Sequence, residues 1–235
     1  MHGSQLQYFP VSLPFLLVFW GLIVVLIGLA ALRLLRYASL SMGITETALI
    51  AVLGLSLLGS YINIPVAYLP GHRAMTTGEI NFFGMTYIVP IVQQSRATVL
   101  AINVGGAIIP MMLSLYLLFK HRLFFLGAVG TAFVAVVCHF LAQPVPGFGI
   151  ALPIFVPAVA TAIIAVALTR RRAAPLAYIS GSFGTLIGAD LLNLGAIQSM
   201  GAPVASIGGA GTFDGIFVTG LLAVLYAGFS RYLHD

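Results

Sequence analysis

The run Pro175-Leu176-Ala177-Tyr178-Ile179-Ser180-Gly181-Ser182-Phe183-Gly184-Thr185-Leu186-Ile187-Gly188-Ala189-Asp190-Leu191-Leu192-Asn193-Leu194-Gly195-Ala196-Ile197 carries a single charged side chain, Asp190. A helix crosses a bilayer with about 20 mostly apolar residues, so this run is long enough to span. A carboxylate inside hydrocarbon is expensive unless it is paired, neutralised or facing water. One stretch therefore points both to the solvent of the fold and to a candidate site.

The rest of the chain agrees. Of its 235 residues, 60% are hydrophobic and only 6% are charged, more apolar surface than a soluble domain of this size can hide. Lipid is the expected solvent. The net charge of +5 is spread in ones and twos at segment ends, which argues against a nucleic-acid partner and for a role in membrane topology. A single cysteine, Cys138, lies in the run Ala135-Val136-Val137-Cys138 and reads as a small core hydrophobe, so neither a disulfide framework nor a CxxC metal motif exists.

Proline, glycine and charge punctuate the chain into about seven candidate membrane spans. They are Val11 to Leu35, Ile44 to Val66, Ala97 to Phe119, Leu123 to Ala142, Ile150 to Leu168, Pro175 to Ile197 and Thr212 to Phe229. No basic n-region or small-residue cleavage site frames the first, which reads as a retained helix. The expectation is an all-α polytopic bundle, one integral membrane domain over 1–235.

Cytoplasmic loops retain Lys and Arg. With the N-terminus outside, Arg33, Arg36, Lys120, Arg122, Arg170, Arg171, Arg172 and Arg231 fall inside, and Arg73 and Arg96 remain outside. The C-terminus is then cytoplasmic, and the chain is expected to cross the cell membrane several times. Arg170-Arg171-Arg172 is the strongest anchor, with an anionic-lipid site as its alternative reading. Glu46 starts the second span, where an acid complements the helix dipole.

Three outer segments interrupt the bundle. Leu69 to Arg96 is broken by Gly71, Gly78, Gly84 and Pro90 yet kept apolar by Phe82, Phe83, Tyr87 and Ile88, so it reads as a short hairpin or an interfacial segment. Gln143 to Gly149 is too apolar for a plain solvated loop. Gln198 to Gly211 ends in Gly208-Gly209-Ala210-Gly211, the most glycine-dense stretch of the chain.

Asp214 is the second intramembrane acid. Counted from span centres near Leu186 and Leu221, Asp190 lies on the order of 6 Å and Asp214 on the order of 10 Å to the outer side of the midplane. Consecutive antiparallel helices joined by a short loop are usually neighbours, so the two acids are candidates for contact. Asn63, Asn103 and His139 fall at the same level, and Asn193, three residues after Asp190, shares its helix face. Taken singly, each of these reads as an interhelical hydrogen-bonding or interfacial residue; together they define one polar layer. Ser180, Gly184 and Gly188 recur every four residues, a spacing that lets helices approach closely, on a side of the helix away from Asp190. Gly208, Gly209, Gly211, Thr212 and Gly215 around Asp214 permit unusual backbone angles or simply a flexible turn.

The stretch Ala205 to Phe217, with Gly188-Ala189-Asp190-Leu191-Leu192-Asn193, Asn103-Val104-Gly105-Gly106 and Asn63-Ile64-Pro65, resembles a prokaryotic membrane family known only as domain of unknown function 1614. That likeness brings no activity. A looser likeness is to presenilin and signal-peptide-peptidase type intramembrane aspartyl proteases, whose two aspartates lie on adjacent helices, one in a Gly-x-Gly-Asp motif. Here Gly211-Thr212-Phe213-Asp214 has Phe213 before the acid, and no Pro-Ala-Leu motif is present.

Two functions compete for the same residues. In an aspartyl protease-like hydrolase, Asp190 and Asp214 share one proton, one activating water and the other protonating toward the scissile carbonyl of a transmembrane peptide. In a proton- or cation-coupled transporter they form the ion site. A metal held by Asp190, Asp214 and His139 is a weaker variant without a local ligand motif. The expected assignment has no cofactor or metal, membrane lipid as partner and an open oligomeric state.

Overall fold

The computed structural model describes residues 13–70, 73–82, 85–94, 97–145, 149–153, 155–199, 204–209 and 219–226. The protein is mostly helical, and among the described residues three helices, Leu17–Met42, Val104–His121 and Phe124–Leu141, are long and apolar enough to cross a membrane. In helix α1 (Leu13–Met42) none of the residues from Leu17 to Leu34 is buried, and only its last turns, with Ala38, Ser39 and Met42, pack into the protein. Its Leu, Val, Ile, Phe and Trp side chains face outward on every side, an arrangement that needs lipid around it. The chain is a membrane protein.

Helix α2 (Glu46–Gly59) begins at Thr45, whose Oγ1 accepts from the Ala48 amide at 3.2 Å. The second expected span, Ile44 to Val66, is therefore corrected. Its helix stops at Gly59, and the chain continues as strand β1 (Asn63–Leu69). Pro65 cannot donate to a ladder and sits at the edge, where the register shifts between Pro65 and Ala67.

The all-α expectation is corrected in the same region. Strands β2 (Arg73–Phe82) and β3 (Met85–Gln94) form an antiparallel hairpin, one of the two readings of this outer segment. Strand β4 (Thr98–Asn103) replaces the first turns of the third expected span. It lies between β1, antiparallel to it, and the later strand β7 (Val204–Ile207), parallel to it. Strands β1, β4 and β7 are short and mostly apolar, and periodicity alone does not separate such a run from a piece of buried helix.

After β4 a π-helical turn, Val104–Ile108, leads into α3 (Ile109–His121). Pro110, near the start of α3, has no amide to give to the preceding turn, which accounts for the widened register there. Helix α4 (Phe124–Leu141) is followed by the short pair β5 (Gln143–Val145) and β6 (Gly149–Ala151), and then by α5 (Phe155–Leu168).

Helix α6 (Ala173–Thr185) is the centre of the molecule, buried along almost its whole length against α3, α4 and α5. Its small residues set the spacing. A Cβ on Gly184 would lie 2.5 Å from the Val134 Cβ, and one on Gly188 would lie 2.8 Å from the Cys138 Cβ. The Ser180, Gly184, Gly188 repeat is thus the seam on α4. The sixth span does not run through as α-helix: it passes into a π-helical turn, Leu186–Asp190, a 3-10 turn, Leu191–Asn193, and short α7 (Leu194–Ser199). Residues 219–226 are helical again.

At one end of the bundle, cations meet helix carboxyl ends. Lys120 Nζ donates to the Gly43 carbonyl at 2.5 Å, and Arg172 Nη1 donates to the His121 carbonyl at 2.6 Å. The His121 ring lies 3.0 Å from the Met42 carbonyl. Positive charge there offsets the partial negative charge of α1 and α3. Glu46 pairs with Arg36 at 3.2 Å at the same end.

Candidate functional site

The polar site lies at the opposite end of α3 and α6, where α3 starts from a π-helical turn and α6 breaks into one. Asn103 is the last residue of β4 and is extended, at φ −77° and ψ 129°. Its Oδ1 accepts from the Gly106 amide at 2.8 Å and so caps the π-helical turn. Its Nδ2 donates to the Ser60 carbonyl at 2.7 Å and to Asn63 Oδ1 at 3.1 Å. Asn63 and Asn103 face each other in the β1–β4 register, so the ladder itself brings the two amides together.

Ser206 closes this network from β7. Its Oγ donates to Asn63 Oδ1 at 2.5 Å, which ties the third strand to the first across the central one. One residue beyond the strand, Gly208 turns with φ +72°. A Cβ there would lie 2.7 Å from both the Cβ and the amide nitrogen of Ala107, in the π-helical turn. Only glycine satisfies both the left-handed backbone and the space.

The Gly208 amide donates to Asp190 Oδ2 at 2.9 Å. The carboxylate at the end of the interrupted α6 thus holds the segment that follows β7. A charge-assisted bond to a backbone amide is among the stronger hydrogen bonds available to an acid. Among the described residues no cation pairs with Asp190.

Asn193, three residues after Asp190, supports the backbone that carries it. Its Nδ2 donates to the Gly188 carbonyl at 2.9 Å and the Ala189 carbonyl at 3.0 Å, supporting the backbone where the π-helical turn tightens to 3-10. On the α4 side of this break, Cys138 Sγ lies 3.7 Å from Thr185 Oγ1 in a buried contact.

The structure therefore brings together Asn63, Asn103, Gly208 and Asp190, with Asn193 supporting the turn that carries Asp190 and Gly188 setting its approach to α4. His139 is not among them: it is exposed on α4, its ring centroid 6.0 Å from that of Phe140. Gly209 is exposed just after Gly208, and its amide donates to the Ser206 carbonyl at 3.2 Å. Asp214, Gly211, Thr212 and Gly215 lie outside the described residues. Among the described residues, no three His, Cys, Asp or Glu side chains gather into a metal-binding group.

Ser206 and Ser60 are functional neighbours that reading the sequence missed. Ser60 contributes through its backbone carbonyl, which carries no sequence signal. Ser206 sits within the glycine-rich stretch and is recognisable only once β7 is known to pair with β4.

No curated protein and no solved structure matches the chain. The model of a family described as a protein of unknown function, DUF1614, matches residues 57–226, from the end of α2 to the last described helix. That match takes in every residue of the polar network just described, and the chain belongs to the DUF1614 family.

Proposed function

We propose that this chain is an intramembrane aspartyl protease-like hydrolase with Asp190 and Asp214 as its catalytic pair. The observation that carries the reading is the 2.9 Å bond from the Gly208 amide to Asp190 Oδ2. It fixes the start of the glycine-rich segment on one acid, six residues before the other. Six residues reach at most about 20 Å when fully extended, and the left-handed turn at Gly208 shortens that reach.

Two carboxylates in close approach cannot both ionise, and they share one proton. The ionised partner takes a proton from water, whose oxygen attacks the scissile carbonyl carbon, while the protonated partner gives its proton toward the carbonyl oxygen. Collapse of the tetrahedral species breaks the carbon–nitrogen bond, and the amine leaves with a proton. The substrate is a transmembrane peptide. In this reading the protein is a bundle of about seven spans in a prokaryotic cell membrane. Its N-terminus is outside, its Lys120–Arg172 end is cytoplasmic and its site is near the outer face.

A second reading is favoured by one feature. The helix α6 breaks at Leu186–Asp190 with an acid at the break, beside the π-helical start of α3 at Val104–Ile108, and such a break also suits a proton- or cation-coupled transporter. Reconstituted protein separates the two. Cleavage of transmembrane peptides, abolished by Asp190→Asn and by Asp214→Asn, supports hydrolysis; proton or cation flux without cleavage overturns it in favour of transport.

A further inference from the structure

A cavity of about 710 Å³ lies away from the polar site, between α2 and α3, with the end of α1 beside it. Its walls are apolar, with Val52 and Leu55 from one helix and Met112 from the other. It runs along α3 from Ile109 to Lys120, about 16 Å at the helical rise. One leaflet of a hydrocarbon core is about 15 Å thick. The groove is as long as one acyl chain is deep.

Its charged end is built of Thr45, Tyr116 and Lys120. Lys120 Nζ donates to the Gly43 carbonyl at 2.5 Å and to Tyr116 Oη at 3.3 Å, and an ammonium has a third donor to give. Thr45 Oγ1 accepts from the Ala48 amide, which leaves its own hydroxyl proton for a ligand. The surroundings are cationic: Arg122 follows on α3, while Glu46, the acid of this end, is already paired with Arg36.

We propose that this groove is a binding site for an anionic phospholipid, one acyl chain lying between α2 and α3 and the phosphate at Lys120 and Thr45. The length of the groove selects a lipid chain over a free anion. The sign of the charge at its mouth selects an anionic over a zwitterionic headgroup. Tyr116, beside Lys120, occupies the level where aromatic rings mark the membrane interface. This site is independent of the reaction at Asp190.

The experiment is native mass spectrometry of the full chain released from detergent, titrated in turn with phosphatidylglycerol, phosphatidylcholine and inorganic phosphate. The expected result is retention of phosphatidylglycerol over phosphatidylcholine, no retention of phosphate, and a loss of about fivefold in apparent affinity on Lys120→Gln. Met112→Trp, which keeps the charge and fills the groove, is expected to reduce retention as well. Equal retention of the two lipids by the unaltered chain overturns the proposal, as does displacement of the lipid by phosphate alone or full retention by Met112→Trp.

Discussion

The amide of Gly208 and the carboxylate of Asp190, eighteen positions apart in the chain, meet at 2.9 Å. This bond joins the parallel strand β7 to the break in α6, and it gives the acid a fixed partner. The Gly208 backbone, at φ +72°, is what aims the amide.

Gly208→Ala is expected to destabilise the fold. The left-handed backbone alone costs a non-glycine residue about 1–2 kcal/mol, and the new Cβ would meet Ala107 at 2.7 Å. Gly208→Asn tolerates the backbone angle but still adds the Cβ, so it should be nearly as harmful if packing against Ala107 dominates. Thermal unfolding in detergent distinguishes the two causes; a neutral Gly208→Ala would contradict the close approach.

Asp190→Asn separates fold from chemistry. The amide keeps an oxygen to accept from Gly208, so the unfolding midpoint should stay close to that of the parent while peptide cleavage is lost. Asp190→Ala removes the acceptor too and should lower both. Cleavage that persists in Asp190→Asn would remove this residue from the proposed pair.

Asn103 uses both ends of its amide, with two donated bonds and one accepted. Asn103→Asp turns the donor into an acceptor that faces the Ser60 carbonyl and Asn63 Oδ1. A cost on the order of 2–3 kcal/mol is expected, against about 1 kcal/mol for Ser206→Ala, which removes a single bond. Chemical denaturation of the two variants should rank them in that order, and the reverse ranking would mean that Ser206, not Asn103, organises the network.

Two glycines of neighbouring segments should respond in opposite ways. A Cβ on Gly105 would overlap the backbone of Ser56 and Ser60, so Gly105→Ala should separate α2 from the start of α3 and strongly destabilise the protein. Gly54, in the middle of α2, has nothing within 4 Å, and Gly54→Ala should gain up to about 1 kcal/mol from helix propensity. Equal effects would place the α2–α3 contact elsewhere.

The membrane character was legible early because hydropathy and the rarity of charge are properties of composition. The structure joins Asn63 to Asn103 directly and Asp190 to Gly208. His139 was drawn into the layer by depth alone. Its neighbour Cys138 points at α6, and successive helical residues are turned by about 100°, which leaves the imidazole exposed.

What the sequence alone determined is the solvent and the cost structure: lipid around the chain, and an acid that must be satisfied within it. What only the tertiary structure decided is how. The runs Asn63–Leu69, Thr98–Asn103 and Val204–Ile207 are strands because each finds another to pair with, which satisfies their backbone groups. No local pattern announces partners that are dozens of residues away. The same pairing carries Gly208 to Asp190, so the acid read first from the run 175–197 acquires its partner through a sheet that the run itself does not contain.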